Sequence, residues 1–131
     1  MGGDRSGPIY PIGTELLLPY NVSATEHEWR SLEKVFSTDR LAALLGTSSP
    51  RVRRYSTGAR STPHALAARL HFLATIVVDL AGAYNEIGIR RWFDRQRSQL
   101  EGRALVDFLQ GDWSPEDPGP RRLRELAQGL R

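Results

Sequence analysis

The chain reads as all-α. Apolar residues recur at three- and four-residue spacing along most of its length, and no segment shows the strict alternation of a half-buried strand. The punctuation agrees: Ser, Thr and Pro precede the periodic runs and Gly follows them, as at helix starts and stops. At 131 residues and 40% hydrophobic content, the chain suits one domain or a small unit fused to a second helical one.

Residues 1–22, rich in Gly and Pro with an apolar patch from Ile12 to Leu18, read as an extended N-terminal arm. Ser23 and Glu26 have the spacing of a capping box, and Trp29, Leu32 and Phe36 follow at helical spacing, which predicts a first helix over Ala24–Phe36. Ser37 or Thr38 caps a second helix through Leu45, ended by Gly46. Ser49 caps a third, with Pro50 in its first turn, where a missing N–H costs nothing, and Gly58 at its end. Thr62 and Pro63 repeat this start signal for a long fourth helix reaching Tyr84. Its stripe of Leu66, Leu70, Leu73, Val77 and Leu80, widened by Phe72, Ile76 and Ala83, predicts burial on more than one side. Gly88 interrupts. Shorter helices are then expected at Ile89–Phe93, Ala104–Gln110 and Arg121–Leu130. The division is an arm over 1–22, a helical unit over 23–62 and a second helical unit over 63–131.

The absence of cysteine excludes disulfides, thiolate metal sites and cysteine nucleophiles. A net charge of +3 is only mildly basic, so charge matters here only where it is concentrated. It is concentrated between Arg40 and Asp79, a stretch without one acidic residue that holds Arg51, Arg53 and Arg54 on the third predicted helix. The opening MGGDRSGPIYP lacks the charged and then apolar pattern of a secretory signal. The apolar stretch Leu70–Tyr84 is broken by His71, Thr75, Asp79 and Gly82 and is too short to span a bilayer. A cytoplasmic protein without a membrane anchor is expected.

Two helices that cross closely need a small residue on the first, a glycine in the turn and an apolar residue on the second. Ala42, Gly46 and Val52 stand in those places, with Leu45 and Tyr55 completing a small core. The segment Thr38–Pro63 thus resembles the helix-turn-helix of phage-type repressors, and Gly58-x-Arg60-x-x-Pro63 resembles the tail that follows their recognition helix. This resemblance implies that Ser48, Ser49, Arg53 and Arg54 face base edges, while Arg51 and Arg60 meet phosphates. Arginine is the commonest bidentate reader of guanine. The alternatives are a helical hairpin whose arginines are merely solvated, and a hairpin retained for dimerisation.

Further on, Arg91-Trp92-Phe93, then Leu100-x-Gly102-Arg103, then Leu109 resemble the toxin-binding domain of the Xre/MbcA/ParS antitoxin family. Members commonly place Thr-Pro after Gly-Arg to start a helix; here Ala104-Leu105 supplies neither. The resemblance implies a repressor-like helix-turn-helix followed by a small helical toxin-binding domain. It further implies an antitoxin of a type II toxin–antitoxin pair that neutralises an NAD-consuming RES-type toxin by covering its active site. Repression of its own operon, operator DNA as a ligand and a homodimer are implied with it. The toxin-facing residues implied are Trp92, Arg103, Trp113, Arg121, Arg122, Arg124 and Arg131. Each has a plainer reading: core for Trp92 and Phe93, a solvated face for the arginines of the last helix, and a helix-end carbonyl partner for Arg103. The alternative function is a stand-alone helix-turn-helix transcription regulator whose C-terminal half only oligomerises.

Nothing in the sequence suggests an enzyme. His64 and His71 lie two helical turns apart, too far for a compact metal pair, and no Gly-rich phosphate loop has the required spacing. No cofactor, metal or catalytic residue is expected. Asp79, inside an apolar run, is either a buried acid paired with Arg90 or Arg91 or a residue on a solvent-facing side.

Overall fold

The structure, a computed structural model, describes residues 22–130, so the expected arm falls almost entirely outside the described residues, as does Arg131. Six α-helices follow one another: α1 (Val22–Glu33), α2 (Thr38–Leu45), α3 (Ser49–Ser56), α4 (His64–Ala81), α5 (Glu86–Asp94) and α6 (Pro118–Gln128). Two 3₁₀ turns, Ser98–Leu100 and Leu105–Phe108, lie between α5 and α6, and no strand occurs among the described residues. The described residues are all-helical, as expected.

Local chemistry explains most of the helix ends. Ser37 is extended, and its hydroxyl accepts the Arg40 backbone N–H at 3.2 Å, starting α2. Gly46 closes α2 in the left-handed region (φ 73°), and Thr47 N–H donates to the Ala42 carbonyl at 2.9 Å. A β-carbon at Gly46 would fall under 3.0 Å from the Gly111 carbonyl oxygen, so both its φ and a close approach require glycine.

Several ends differ from the expectation. α1 begins at Val22, which puts Ser23 inside the helix rather than before it, and it ends at Glu33. A turn closed by the Leu32 carbonyl then leads to Phe36. α3 is capped by Ser48, not Ser49: Ser48 Oγ accepts the Arg51 N–H at 3.4 Å, while the Ser49 hydroxyl donates to Asp39. Thr62 does not cap α4, because Pro63 occupies the N-cap position one residue later; the Thr62 hydroxyl accepts the Trp29 indole N–H at 3.0 Å. α4 stops at Ala81, short of Tyr84, and Ala83 is exposed rather than part of the stripe. Asn85 caps α5, accepting the Gly88 N–H at 2.9 Å, so Gly88 sits within the helix instead of breaking it. The helix expected at Ala104–Gln110 is only a four-residue 3₁₀ turn, whose Asp107 carboxylate accepts the Ala104 N–H at 2.9 Å. α6 starts at Pro118, earlier than expected, and ends at Gln128.

A single cluster of buried side chains runs from Trp29 to Ala127. α4 is its axis and packs against α1, α2, α5 and α6. All five stripe residues are buried, Phe72, Ile76, Ala67 and Ala74 join them, and Asp79 is buried among them, so α4 is covered on more than one side. Phe36 meets Phe93 edge-on at 5.2 Å, joining the chain after α1 to α5. Arg69 of α4 donates to the Leu45 carbonyl at 3.0 Å and to the Trp113 carbonyl at 2.7 Å, and Arg90 of α5 donates to the Val35 carbonyl at 2.9 Å. Arg40 of α2 pairs with Asp94 of α5. The expected boundary between residues 62 and 63 therefore lies within one continuous core.

Candidate nucleic-acid interface

α3 has eight residues, and one face anchors it. Val52 is fully buried and Tyr55 half-buried, whereas Arg51, Arg53 and Arg54 are exposed. At about 100° per residue, Arg51 and Arg53 flank Val52 on either side and Arg54 lies nearly opposite it. Burying Val52 against α2 thus forces all three guanidinium groups outward. Gly58, at φ 83°, turns the chain back, and Arg60 N–H donates to the Arg54 carbonyl at 3.1 Å. The exposed Arg60 is therefore anchored at the C-terminal end of α3, where the helix dipole favours a cation.

The two serines of the predicted set have structural work. Ser48 is exposed and caps α3; Ser49 is half-buried and donates to Asp39, linking the starts of α2 and α3. The other cations of the acid-free window are already engaged. Arg40 is paired with Asp94, and Arg69 is half-buried against two carbonyls. That role of Arg69 was not foreseen; its only trace in the sequence is a cation set between Ala68 and Leu70 on an apolar helix.

The residues implied by the antitoxin resemblance separate into two groups. Trp92 and Trp113 stand in the core, 3% and 4% exposed. Trp113 donates its indole N–H to the Leu44 carbonyl at 2.7 Å and meets Phe72 edge-on at 5.3 Å. Trp92 packs edge-on against Phe93, and the Arg97 guanidinium lies 4.8 Å from its ring centroid, but its indole N–H has no hydrogen-bond partner. Both tryptophans are core residues and present no aromatic anchor at the surface, so the plainer reading of Trp92 is the observed placement. Arg103, Arg121, Arg122 and Arg124 are exposed. Arg103 lies 4.4 Å from the Phe108 ring centroid and 3.6 Å from the Glu101 carboxylate, at the end of a tight turn in which Arg97 and Arg103 pair as a β-bridge. α6 turns its three arginines outward because Leu123 and Ala127 face the core.

Burial lowers the Arg97 guanidinium below its ordinary pKa, and the neighbouring Arg95 charge adds to this, opposed by Tyr84. Asp79 is buried, so its solvent-facing alternative does not apply, and the Arg90 guanidinium reaches the Val35 carbonyl. His71 Nδ1 contacts the Glu28 carboxylate, and no group of three His, Cys, Asp or Glu residues among the described residues is placed to hold a metal.

Comparison with protein-family models, with curated proteins and with solved structures finds no match to this chain.

Proposed function

We propose that the chain is a DNA-binding antitoxin. In this reading α2 and α3 act as a helix-turn-helix on operator DNA, and the C-terminal half neutralises an NAD-consuming RES-type toxin by covering its active site. The observation that carries the DNA half is the outward set of Arg51, Arg53 and Arg54 opposite the buried Val52, in a stretch without acidic residues. The tight connection Gly46–Ser48 and the buried pair Ala42 and Val52 support the close crossing such a motif needs. The toxin half is supported by the Trp92-Phe93 and Leu100-x-Gly102-Arg103 resemblance and by the exposed Arg103, Arg121, Arg122 and Arg124, which suit an acidic rim on a partner.

A second reading, a stand-alone regulator, is favoured by the bonds from Arg69 and Trp113 to the carbonyls of Leu44 and Leu45. There the C-terminal half only braces the DNA-binding hairpin and oligomerises. Expressing the adjacent reading frame with and without this chain separates the two. The antitoxin reading expects growth arrest with loss of NAD, relieved by co-expression; a harmless neighbour leaves only the regulator. For the DNA half, Arg53→Ala with Arg54→Ala should weaken binding to the chain's own upstream DNA at least about 30-fold. Each bidentate arginine–guanine pair discriminates by about 1–3 kcal/mol. Unchanged discrimination between that DNA and a scrambled duplex would refute this assignment.

A further inference from the structure

A cavity of about 410 Å³ opens where the first half of α1, the end of α3 and the start of α4 meet. Small-molecule sites run from about 300 to 1,000 Å³ and join apolar walls to a few polar groups. This one has both. The buried Trp29 and Ala67 and the half-buried Tyr55 line it, and Glu26 of α1 and Arg60, beyond the Gly58 turn, bring one charge of each sign to it. Although they share the cavity, Glu26 and Arg60 do not pair. Among the described residues neither side chain has an ion-pair or hydrogen-bond partner. The hydroxyls of Thr25, Tyr55 and Ser61, on the same walls, bond to no described residue either. The fold thus leaves the polar capacity of this cavity unused.

Charge decides which ligand fits. A phosphate-bearing molecule would set further negative charge beside Glu26, and a neutral apolar one would leave both charges unmatched. A zwitterion with an aromatic ring meets every wall. We infer that the α1–α3–α4 cavity binds a free aromatic amino acid. Its carboxylate meets the Arg60 guanidinium, whose fork matches a carboxylate, its ammonium group meets Glu26, and its ring lies against Trp29, Tyr55 and Ala67.

A regulatory consequence follows, and it rests on the DNA reading. Arg60 is there a phosphate contact, and Tyr55 belongs to α3 itself. A ligand carboxylate on Arg60 takes that cation away from the DNA backbone, so the amino acid weakens DNA binding. The cavity's own ligand does not depend on that reading.

Isothermal titration calorimetry on the full chain without DNA tests the ligand, with L-phenylalanine as the probe. A dissociation constant of about 0.1–1 mM is expected for a molecule of this size. Phenethylamine lacks the carboxylate, phenylpropionate lacks the ammonium group and L-alanine lacks the ring; each should bind at least about tenfold more weakly. Arg60→Gln should bind L-phenylalanine no tighter than phenethylamine, and Glu26→Gln no tighter than phenylpropionate. Both variants should keep the wild-type melting temperature, because both side chains are exposed. A merely structural role would weaken all the probes together. No binding of L-phenylalanine, L-tyrosine or L-tryptophan at about 10 mM, tenfold above the expected range, would overturn the inference. So would binding indifferent to the loss of either charge. A second measurement addresses regulation: saturating L-phenylalanine should flatten the salt slope of DNA binding by about 0.9 in the wild type and not in Arg60→Gln. If the amino acid binds and that slope is unchanged, or DNA is not bound at all, the cavity's ligand stands and only the regulatory consequence is refuted.

Discussion

Gly46→Ala is expected to destabilise the whole molecule, not only the α2–α3 turn. An L side chain at φ 73° costs about 1–2 kcal/mol. The added β-carbon would also fall under 3.0 Å from the Gly111 carbonyl oxygen, and a backbone atom can yield only if the loop leading to Trp113 moves. Forcing such a shift in a packed region costs about 1–3 kcal/mol more. The sum is about 2–5 kcal/mol, or a fall in Tm of about 6–15 °C for a chain of this size. Gly58→Ala is the control, because Gly58 has φ 83° but nothing within 4 Å of the added atom. It should carry the strain alone and lose about 3–6 °C. Thermal denaturation of the two variants side by side isolates the clash. If Gly46→Ala is no worse than Gly58→Ala, the 109–113 segment does not press on the turn between α2 and α3, and the continuous core is wrong.

Two further outcomes test the same packing. Trp113→Phe leaves the Leu44 carbonyl without its indole donor, a cost of about 1–3 kcal/mol beyond lost volume, whereas Trp92→Phe removes a buried N–H that has no partner and should cost less. Urea titrations giving the opposite order would refute these placements. Truncation after Asp112 deletes the buried Trp113, Leu123 and Ala127. At about 1.5–3 kcal/mol for each large side chain, with the Arg69 and Trp113 bonds lost as well, this approaches the 5–15 kcal/mol that holds a domain together. The truncated chain should therefore lose cooperative unfolding by circular dichroism, and a sharp transition near the wild-type midpoint would contradict the single core.

What was legible in the sequence was local. Ser37, Gly46 and the leucine stripe of α4 do what neighbouring chemistry dictates, and the all-helical class follows from periodicity alone. What was not legible was set by residues far along the chain. Ser49, one residue inside α3, bonds Asp39 of α2, and Thr62, one residue before the Pro63 N-cap of α4, bonds Trp29 of α1. Trp113, in a loop beside Asp112 and Pro115, gives no local sign of burial, because its environment is made by Leu44 and Phe72. Periodicity shows which face of a helix is apolar but not which segment covers it. Reading Gly88 as a break overlooked Asn85, whose side chain starts α5 three residues earlier. On the candidate interface, Val52 as the inward residue of α3 was readable from its spacing to Ala42 and Gly46, and the outward arginines followed from it.

Central to the proposed function is that the exposed arginines of α3 and its end meet the DNA backbone and bases. Its most direct test is the salt dependence of binding to the chain's own upstream duplex, by fluorescence anisotropy from about 50 to 200 mM salt, for the wild type and for Arg51→Ala with Arg60→Ala. Because each phosphate contact contributes about −0.9 to the slope of log K against log salt, the double variant should flatten that slope by about 2 per bound copy. A wild-type slope near zero, or one that the two substitutions leave unchanged, would contradict it.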